Sequence, residues 1–152
     1  MKAFRNSYPA YLFLYSFYFM STALFTTLIS VYLIGQQYSA SQVSNLVSTA
    51  FFLSMLTQPL FGYINERFGI VKITTLSLGV LMAGVGGFIW APNFFWLTIF
   101  YGLVLLCLNG TAPMMEILAT QSPYAFGKIR VWGTLGYAAG AHLAGWLYAH
   151  LS

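Results

Sequence analysis

Charged residues are confined to a few short stretches of this chain. Residues 6–65, 73–115 and 131–152 contain no Asp, Glu, Lys or Arg. A helix needs about 20 consecutive apolar residues to cross the roughly 30 Å hydrocarbon core of a bilayer. The uncharged runs therefore have room for about five crossings. This distribution excludes a water-soluble globular domain.

The composition excludes several other classes of protein. Only 5% of the residues are charged and 59% are hydrophobic, whereas soluble domains carry about 25% charged residues. The single cysteine, Cys107, lies within an apolar run and cannot supply a disulfide framework or a cysteine-based metal site. The six basic residues form no patch large enough to follow a nucleic acid backbone. The two acids and two scattered histidines give no nucleophile–base set and no metal cluster, so we expect neither an enzyme nor a cofactor.

Turn residues and charges divide the apolar sequence into five predicted transmembrane helices. β-strands are disfavoured because each run is too long for a barrel strand and lacks period-two alternation. The predicted fold class is an all-α membrane bundle formed by the whole chain, residues 1–152. Its spans cover about residues 8–34, 43–63, 73–90, 94–115 and 131–151.

The basic residues predict the orientation of these spans. With five crossings, all six fall on one side of the membrane, namely Lys2, Arg5, Arg67, Lys72, Lys128 and Arg130. The opposite connections, residues 35–42 and 91–93, contain none. By the positive-inside rule, the N-terminus lies in the cytoplasm and the chain is a multi-pass protein of the cell (plasma or inner) membrane.

Small residues recur at four-residue spacing in two of the spans. Span three contains Gly79, Ala83 and Gly87, and span five contains Gly136 and Gly140, with Gly133 one turn earlier. Such residues let helix backbones approach closely, which favours association between helices in lipid. We interpret both rows as helix-packing surfaces rather than as substrate contacts.

Glu116 is the only acid within the apolar sequence, at the inner end of span four. An ionisable residue in a membrane helix is costly and indicates a functional site with a partner. If the following turn centres near Pro123, Glu116 lies seven residues before it and Arg130 seven after. Both then lie ~10 Å from the turn, at matching depth. We favour an ion pair that lines a site, with an interfacial Glu and a purely topogenic Arg as the alternative.

The side of span five that carries Arg130 has further polar and aromatic residues. Thr134, Tyr137 and Ala141 follow Arg130 at intervals that place all four on one side of a helix. A guanidinium, a hydroxyl and an aromatic ring beside a small residue form a surface on which a polar ring could lie. Glu116, Arg130, Thr134 and Tyr137 are therefore the candidate substrate-binding residues.

The segment between spans two and three resembles the signature loop of the major facilitator superfamily. The family pattern is Gly-x-x-x-Asp-Arg/Lys-x-Gly-x-Arg/Lys-Arg/Lys, which is matched here by Gly62, Arg67, Gly69 and Lys72. Glu66 stands in place of the usual Asp, and Val71 in place of one basic residue. The resemblance implies a gating role on the inner side of the membrane for Gly62, Glu66, Arg67, Gly69 and Lys72.

Two further segments, residues 109–116 and 126–137, are similar to the lactose-permease-like branch of that superfamily. The branch contains proton symporters for oligosaccharides, nucleosides and phenylpropionate. The resemblance implies that Glu116 and Arg130 bind the substrate and that the ring at position 137 stacks on it. The lactose transporter of the branch has a Trp at the position of Tyr137, so the Tyr weakens the case for a galactoside and leaves another sugar, a nucleoside and an aromatic acid open.

The resemblance also implies an architecture of two six-helix halves, of which this chain supplies about five helices of the first. We therefore expect the N-terminal fragment of a secondary transporter, with proton-coupled symport of a sugar, nucleoside or similar small polar ring compound. Its expected partners are the substrate, protons, the lipid bilayer and a missing C-terminal half, and no transport is expected from this polypeptide alone. The alternative is a small stand-alone multispan membrane scaffold or subunit without transport activity.

Overall fold

Five α-helices account for nearly all of the described chain, and the part described contains no β-strand. A computed structural model describes residues 7–151, with side chains as far as His150. The helices are α1 (Tyr8–Gly35), α2 (Ala40–Phe68), α3 (Ile70–Ile89), α4 (Phe94–Thr120) and α5 (Phe126–Leu151). The predicted all-α fold class is confirmed, and only Trp90 of the five predicted spans falls outside a helix. Lys2 and Arg5, which entered the orientation argument, lie outside the described residues.

Local sequence accounts for where the helices begin and end. Pro9 occupies the first turn of α1, where its missing N–H removes no helical hydrogen bond. Gln37, the second residue after α1, adopts a φ of 65°, a conformation that ends a helix. Before α4, the Asn93 Oδ1 atom accepts a hydrogen bond from the Trp96 backbone N–H at 3.2 Å, which satisfies one of the free donors of the first turn.

Four helices, α1 to α4, are long and apolar enough to cross a membrane. Helix α5 has 26 residues, which is also sufficient length, but it lacks a continuous stretch as apolar as those of the other four helices. Lys128 and Arg130 lie near its start, and His142 and His150 follow in its second half. The chain is therefore a multi-pass membrane protein, and the fifth crossing stays a prediction.

The chain divides into two compact units, and helix α4 contributes to both. Among the described residues, the terminal unit consists of residues 7–39 and 115–151, and the central unit of residues 40–114. In the terminal unit, α1 packs along α5. The Tyr8 hydroxyl donates to the Lys128 carbonyl, and the Ser16 hydroxyl donates to the Trp132 carbonyl. Because positions advance together along the two helices, α1 and α5 are parallel.

Glycines of α5 allow this close packing. A Cβ atom at Gly136 would overlap the carbonyl group of Ser16, and one at Gly140 would lie 2.5 Å from the carbonyl oxygen of Met20. These neighbours are backbone atoms and cannot move aside without shifting a helix. At Gly133, a Cβ would lie 2.8 Å from the ring of Phe19. The predicted packing role of the small residues in α5 is confirmed.

The central unit shows a different packing surface on α3 from the predicted one. A Cβ at Gly79 would meet open space, and Ala83 is exposed. Gly87 does face a neighbour, the ring of Phe100, and a Cβ at Gly84 would lie 2.9 Å from Val104. The buried residues of α3 include Thr74, Ser77, Gly84 and Phe88. The row through Gly79 and Ala83 was therefore the wrong face, because small residues occur on more than one side of this helix.

Candidate functional site

Glu116 and Arg130 form an ion pair between the end of α4 and the start of α5. The Arg130 Nη1 atom donates to the Glu116 Oε1 atom at 3.0 Å, and both side chains are about half exposed, at 58% and 48% for Arg130 and Glu116. The turn between the helices comprises residues 121–125 and includes Pro123, as predicted. The predicted pairing of these two residues is therefore present in the structure, while their role in binding stays a prediction.

Buried neighbours determine where the two charged side chains lie. Met115 precedes Glu116 and is 1% exposed, and Ile129 precedes Arg130 and is fully buried. Since successive residues of a helix point about 100° apart, burial of Met115 and Ile129 turns the charged groups away from the packed side. The Arg130 guanidinium also lies 5.5 Å from the ring centre of Phe126, within range of a cation–π interaction.

An exposed pair of this kind can bind a neutral polyol. A carboxylate accepts hydrogen bonds from hydroxyl groups, and a guanidinium donates them from several N–H groups in one plane. Hydrogen bonds to charged groups are shorter and stronger than those between neutral groups. Glu116 and Arg130 therefore offer both kinds of partner to one ligand.

Thr134 and Tyr137 lie on the exposed side of α5, as Arg130 does. The Thr134 hydroxyl donates to the Arg130 carbonyl at 3.4 Å, and the Tyr137 ring is 45% exposed. Gly136 and Gly140, which pack on α1, lie on a different side of this helix, about 100° around its axis. The structure thus brings the predicted residues of α5 to one surface and separates them from the packing face.

Sequence reasoning missed Tyr15, which lies beside the ion pair in the terminal unit. The Tyr15 hydroxyl donates to the Met115 carbonyl at 2.9 Å, and the residue is 1% exposed. In the sequence, Tyr15 is one of many aromatic residues of an apolar span, where lipid contact explains an aromatic equally well. The only signal is its hydroxyl, since a buried Tyr O–H needs an acceptor.

A second missed group joins the starts of α1 and α5. The Tyr8 hydroxyl donates to the Lys128 carbonyl at 3.3 Å and accepts from the Trp132 Nε1–H at 3.0 Å. The Tyr8 and Tyr11 rings lie edge-on to Tyr124, with centres 5.3 and 6.2 Å apart. These contacts fix the turn before Arg130 onto α1, so the group supports the site without contributing to its exposed surface.

The predicted gating residues lie in the central unit, where the structure differs from the expected loop. Helix α2 continues through Gly62, Glu66 and Arg67 to Phe68, and α3 begins at Ile70, so only Gly69 separates them. The Arg67 Nη1 atom donates to the Tyr63 hydroxyl at 3.2 Å, and its guanidinium lies 5.8 Å from the ring centre of Phe68.

The expectation of a loop was wrong because the charged residues favour helix as readily as turn. Gly69 is the break itself, with a φ of 90° and a ψ of 133°. Lys72 follows in the first turn of α3. The five predicted gating residues thus lie on two helix ends and the single residue between them, and their gating role stays a prediction.

Comparisons with known proteins extend the description of the site to a family. The family model described as "MFS_1 like family" matches residues 8–152. The chain is 28% identical to a sucrose permease of Escherichia coli in an alignment of 156 positions that covers 93% of this chain and 38% of the relative. It is 28% identical to a maltose permease of Geobacillus stearothermophilus in an alignment of 160 positions that covers 97% of this chain and 38% of the relative.

The chain therefore spans well under half the length of these relatives. No solved structure matches it at comparable significance. Both relatives are named as permeases, and the matching family is one of transporters. These findings confirm the resemblance to the major facilitator superfamily, and neither named relative is an enzyme.

Proposed function

The chain belongs to the MFS_1 like family, and we propose that it forms the N-terminal part of a secondary transporter for a sugar. Two observations support a sugar over the other polar ring compounds. The relatives are named for sucrose and maltose, and the exposed surface of the terminal unit offers both acceptors and donors to hydroxyl groups. A nucleoside presents hydroxyl groups through its ribose and fits the same chemistry less fully.

The exposed Glu116–Arg130 pair is the observation that carries this proposal. An ion pair facing hydrocarbon is costly, so charged side chains in membrane helices normally face a water-filled cavity or a pathway. Here both side chains are about half exposed, so the described part of the protein does not enclose either of them. Glu116 and Arg130 bind the sugar hydroxyls, Thr134 adds a hydroxyl, and the Tyr137 ring stacks on the apolar face of the sugar.

Transport follows by alternating access and uses the gating residues of the central unit. The half that contains this chain rocks against a C-terminal half and exposes the site to each side of the membrane in turn. Gly62, Glu66, Arg67, Gly69 and Lys72 lie at the cytoplasmic side, where the sharp break at Gly69 lets α2 and α3 change their mutual angle. Protons are the coupling ion, and the N-terminus lies in the cytoplasm.

Sugar binding to the purified chain tests the proposal directly. In lipid nanodiscs, equilibrium dialysis with radiolabelled sucrose and maltose measures the affinity of the unchanged chain and of Glu116→Gln and Arg130→Lys. Glu116→Gln removes the carboxylate charge from its hydrogen bonds to the sugar, and Arg130→Lys removes the planar set of donors of the guanidinium. We therefore expect roughly 10- to 100-fold weaker binding in each variant.

Lys128→Gln is the matched control, because it removes an exposed cation of the same helix end. Among the described side chains, Lys128 takes part in no ion pair. The affinity of the Lys128→Gln variant for sugar should therefore stay near that of the unchanged chain. Unchanged affinity in both Glu116→Gln and Arg130→Lys contradicts the assignment of the site. Displacement of the label by uridine but by no unlabelled sugar contradicts the choice of substrate.

A further inference from the structure

Tyr15 connects α1 to the helical turn that carries Glu116. Its hydroxyl donates to the Met115 carbonyl at 2.9 Å, and both residues are 1% exposed. The Met115 carbonyl belongs to the peptide group that joins Met115 to Glu116. A bond at this point restrains the backbone from which the Glu116 side chain projects.

The α1 segment around Tyr15 is in turn fixed on α5. The Ser16 hydroxyl donates to the Trp132 carbonyl at 3.1 Å, and the Ser16 carbonyl lies so close to Gly136 that no Cβ fits between them. The Tyr15 ring itself lies against Gly133, where a Cβ would be 3.0 Å from it. Helix α1 is thus tightly packed on the helix that carries Arg130.

Tyr15 therefore contacts both helices that carry the ion pair. Through its ring it contacts the helix of Arg130, and through its hydroxyl it holds the turn of Glu116. Within the described part of the chain, the short turn at residues 121–125 and the ion pair itself also connect the two charged groups. An exposed ion pair is a weak restraint, because solvent competes for both charges.

We propose that Tyr15 is a positioning residue that holds Glu116 within hydrogen-bonding distance of Arg130. It does not touch the ligand, since it is buried and lies on the packed side of both helices. This inference deepens the proposed function, on which the importance of the pair for sugar binding rests. The positioning itself is a property of the protein without ligand.

Magic-angle-spinning NMR in lipid bilayers measures this positioning without any sugar. The chain contains two acidic residues, Glu66 and Glu116, so Glu66→Gln leaves a single glutamate. With 13C in Glu and 15N in Arg, dipolar dephasing of the Glu116 Cδ signal reports its distance from a guanidinium. We expect strong dephasing in this parent, its loss in Arg130→Lys, and a clear reduction in Tyr15→Phe.

Two matched changes separate positioning from general packing. Ser16→Ala removes a neighbouring hydroxyl of α1 that bonds to α5 rather than to α4, and Tyr11→Phe removes a hydroxyl from the same helix one turn earlier. Both variants should retain the dephasing of the parent. If Tyr15→Phe misfolds, 4-fluorophenylalanine at position 15 keeps the size of the side chain and removes only the donor.

The outcomes decide the proposal whether or not the chain binds sugar. Equal dephasing in the parent and in a folded variant without the Tyr15 donor overturns it, as does an equal reduction in Ser16→Ala. If the parent binds sucrose or maltose, loss of the Tyr15 hydroxyl should weaken binding by about three- to tenfold. If the parent binds neither, the proposed function fails, while the NMR result still decides the role of Tyr15.

Discussion

Gly69 is the single residue between α2 and α3, and its backbone conformation restricts which side chains it can carry. At a φ of 90° and a ψ of 133°, any residue with a Cβ is strained, at a cost of about 1–3 kcal/mol. We therefore expect Gly69→Ala to lower the thermal unfolding temperature, which circular dichroism measures on the chain in detergent.

Gly62→Ala is the control for this change. Gly62 lies inside α2, and a Cβ there would meet open space. Alanine is the better helix former, so this variant should be as stable as the unchanged chain or slightly more so. Equal unfolding temperatures for Gly69→Ala and Gly62→Ala would show that the break does not need a glycine.

Single residues also show what the sequence could and could not predict about the site. The pairing of Glu116 with Arg130 followed from their equal distance from Pro123, because a short turn places such residues at one depth. Tyr15 could not be found in this way, since its partner is a backbone carbonyl 100 residues away. Every residue offers the same kind of backbone acceptor, and only the fold determines which one Tyr15 reaches.

At the scale of helices, the parallel pair α1–α5 depends on backbone contact at Gly136. A Cβ there would overlap the carbonyl of Ser16, so Gly136→Ala forces the two helices apart. Overpacking of this kind costs roughly 1–3 kcal/mol. We expect a lower unfolding temperature and weaker dephasing between Glu116 and Arg130 in the NMR experiment.

The same helix provides a matched glycine for comparison. A Cβ at Gly145 would meet open space, and the residue is exposed. Gly145→Ala should therefore leave both the unfolding temperature and the dephasing unchanged or slightly increased. Loss of stability in Gly145→Ala equal to that in Gly136→Ala would mean that helix flexibility, not contact with α1, explains the effect.

Packing faces were predicted correctly in one helix and incorrectly in another, for a physical reason. In α5, small residues also occur on several sides, but the predicted row of Gly133, Gly136 and Gly140 coincides with the side that packs on α1. In α3, Gly84 lies next to Ala83 in sequence but 100° away around the helix. Small size permits close approach on any side, and only the neighbouring helices determine which side is used.

At the scale of the whole molecule, the absence of charge predicted the five helices, because long uncharged runs have few alternatives in a bilayer. The helix ends were less predictable. Helix α2 continues to Phe68, five residues beyond the predicted span, since a helix can leave the hydrocarbon without ending. Hydropathy alone supports four crossings, and the parallel packing of α1 on α5 adds an independent argument for a fifth. Two parallel helices start on the same side of the membrane.

Cysteine labelling tests the five crossings. In a Cys107→Ser background, the single substitutions Q37C, Q121C and H150C place a thiol after α1, after α4 and at the end of α5. An impermeant maleimide added to intact cells should label Q37C and H150C, whereas Q121C should react only after permeabilisation, because the basic residues hold its turn in the cytoplasm. Labelling of H150C only after permeabilisation would show that α5 returns to the side where it began. Labelling of Q121C in intact cells would contradict the orientation itself.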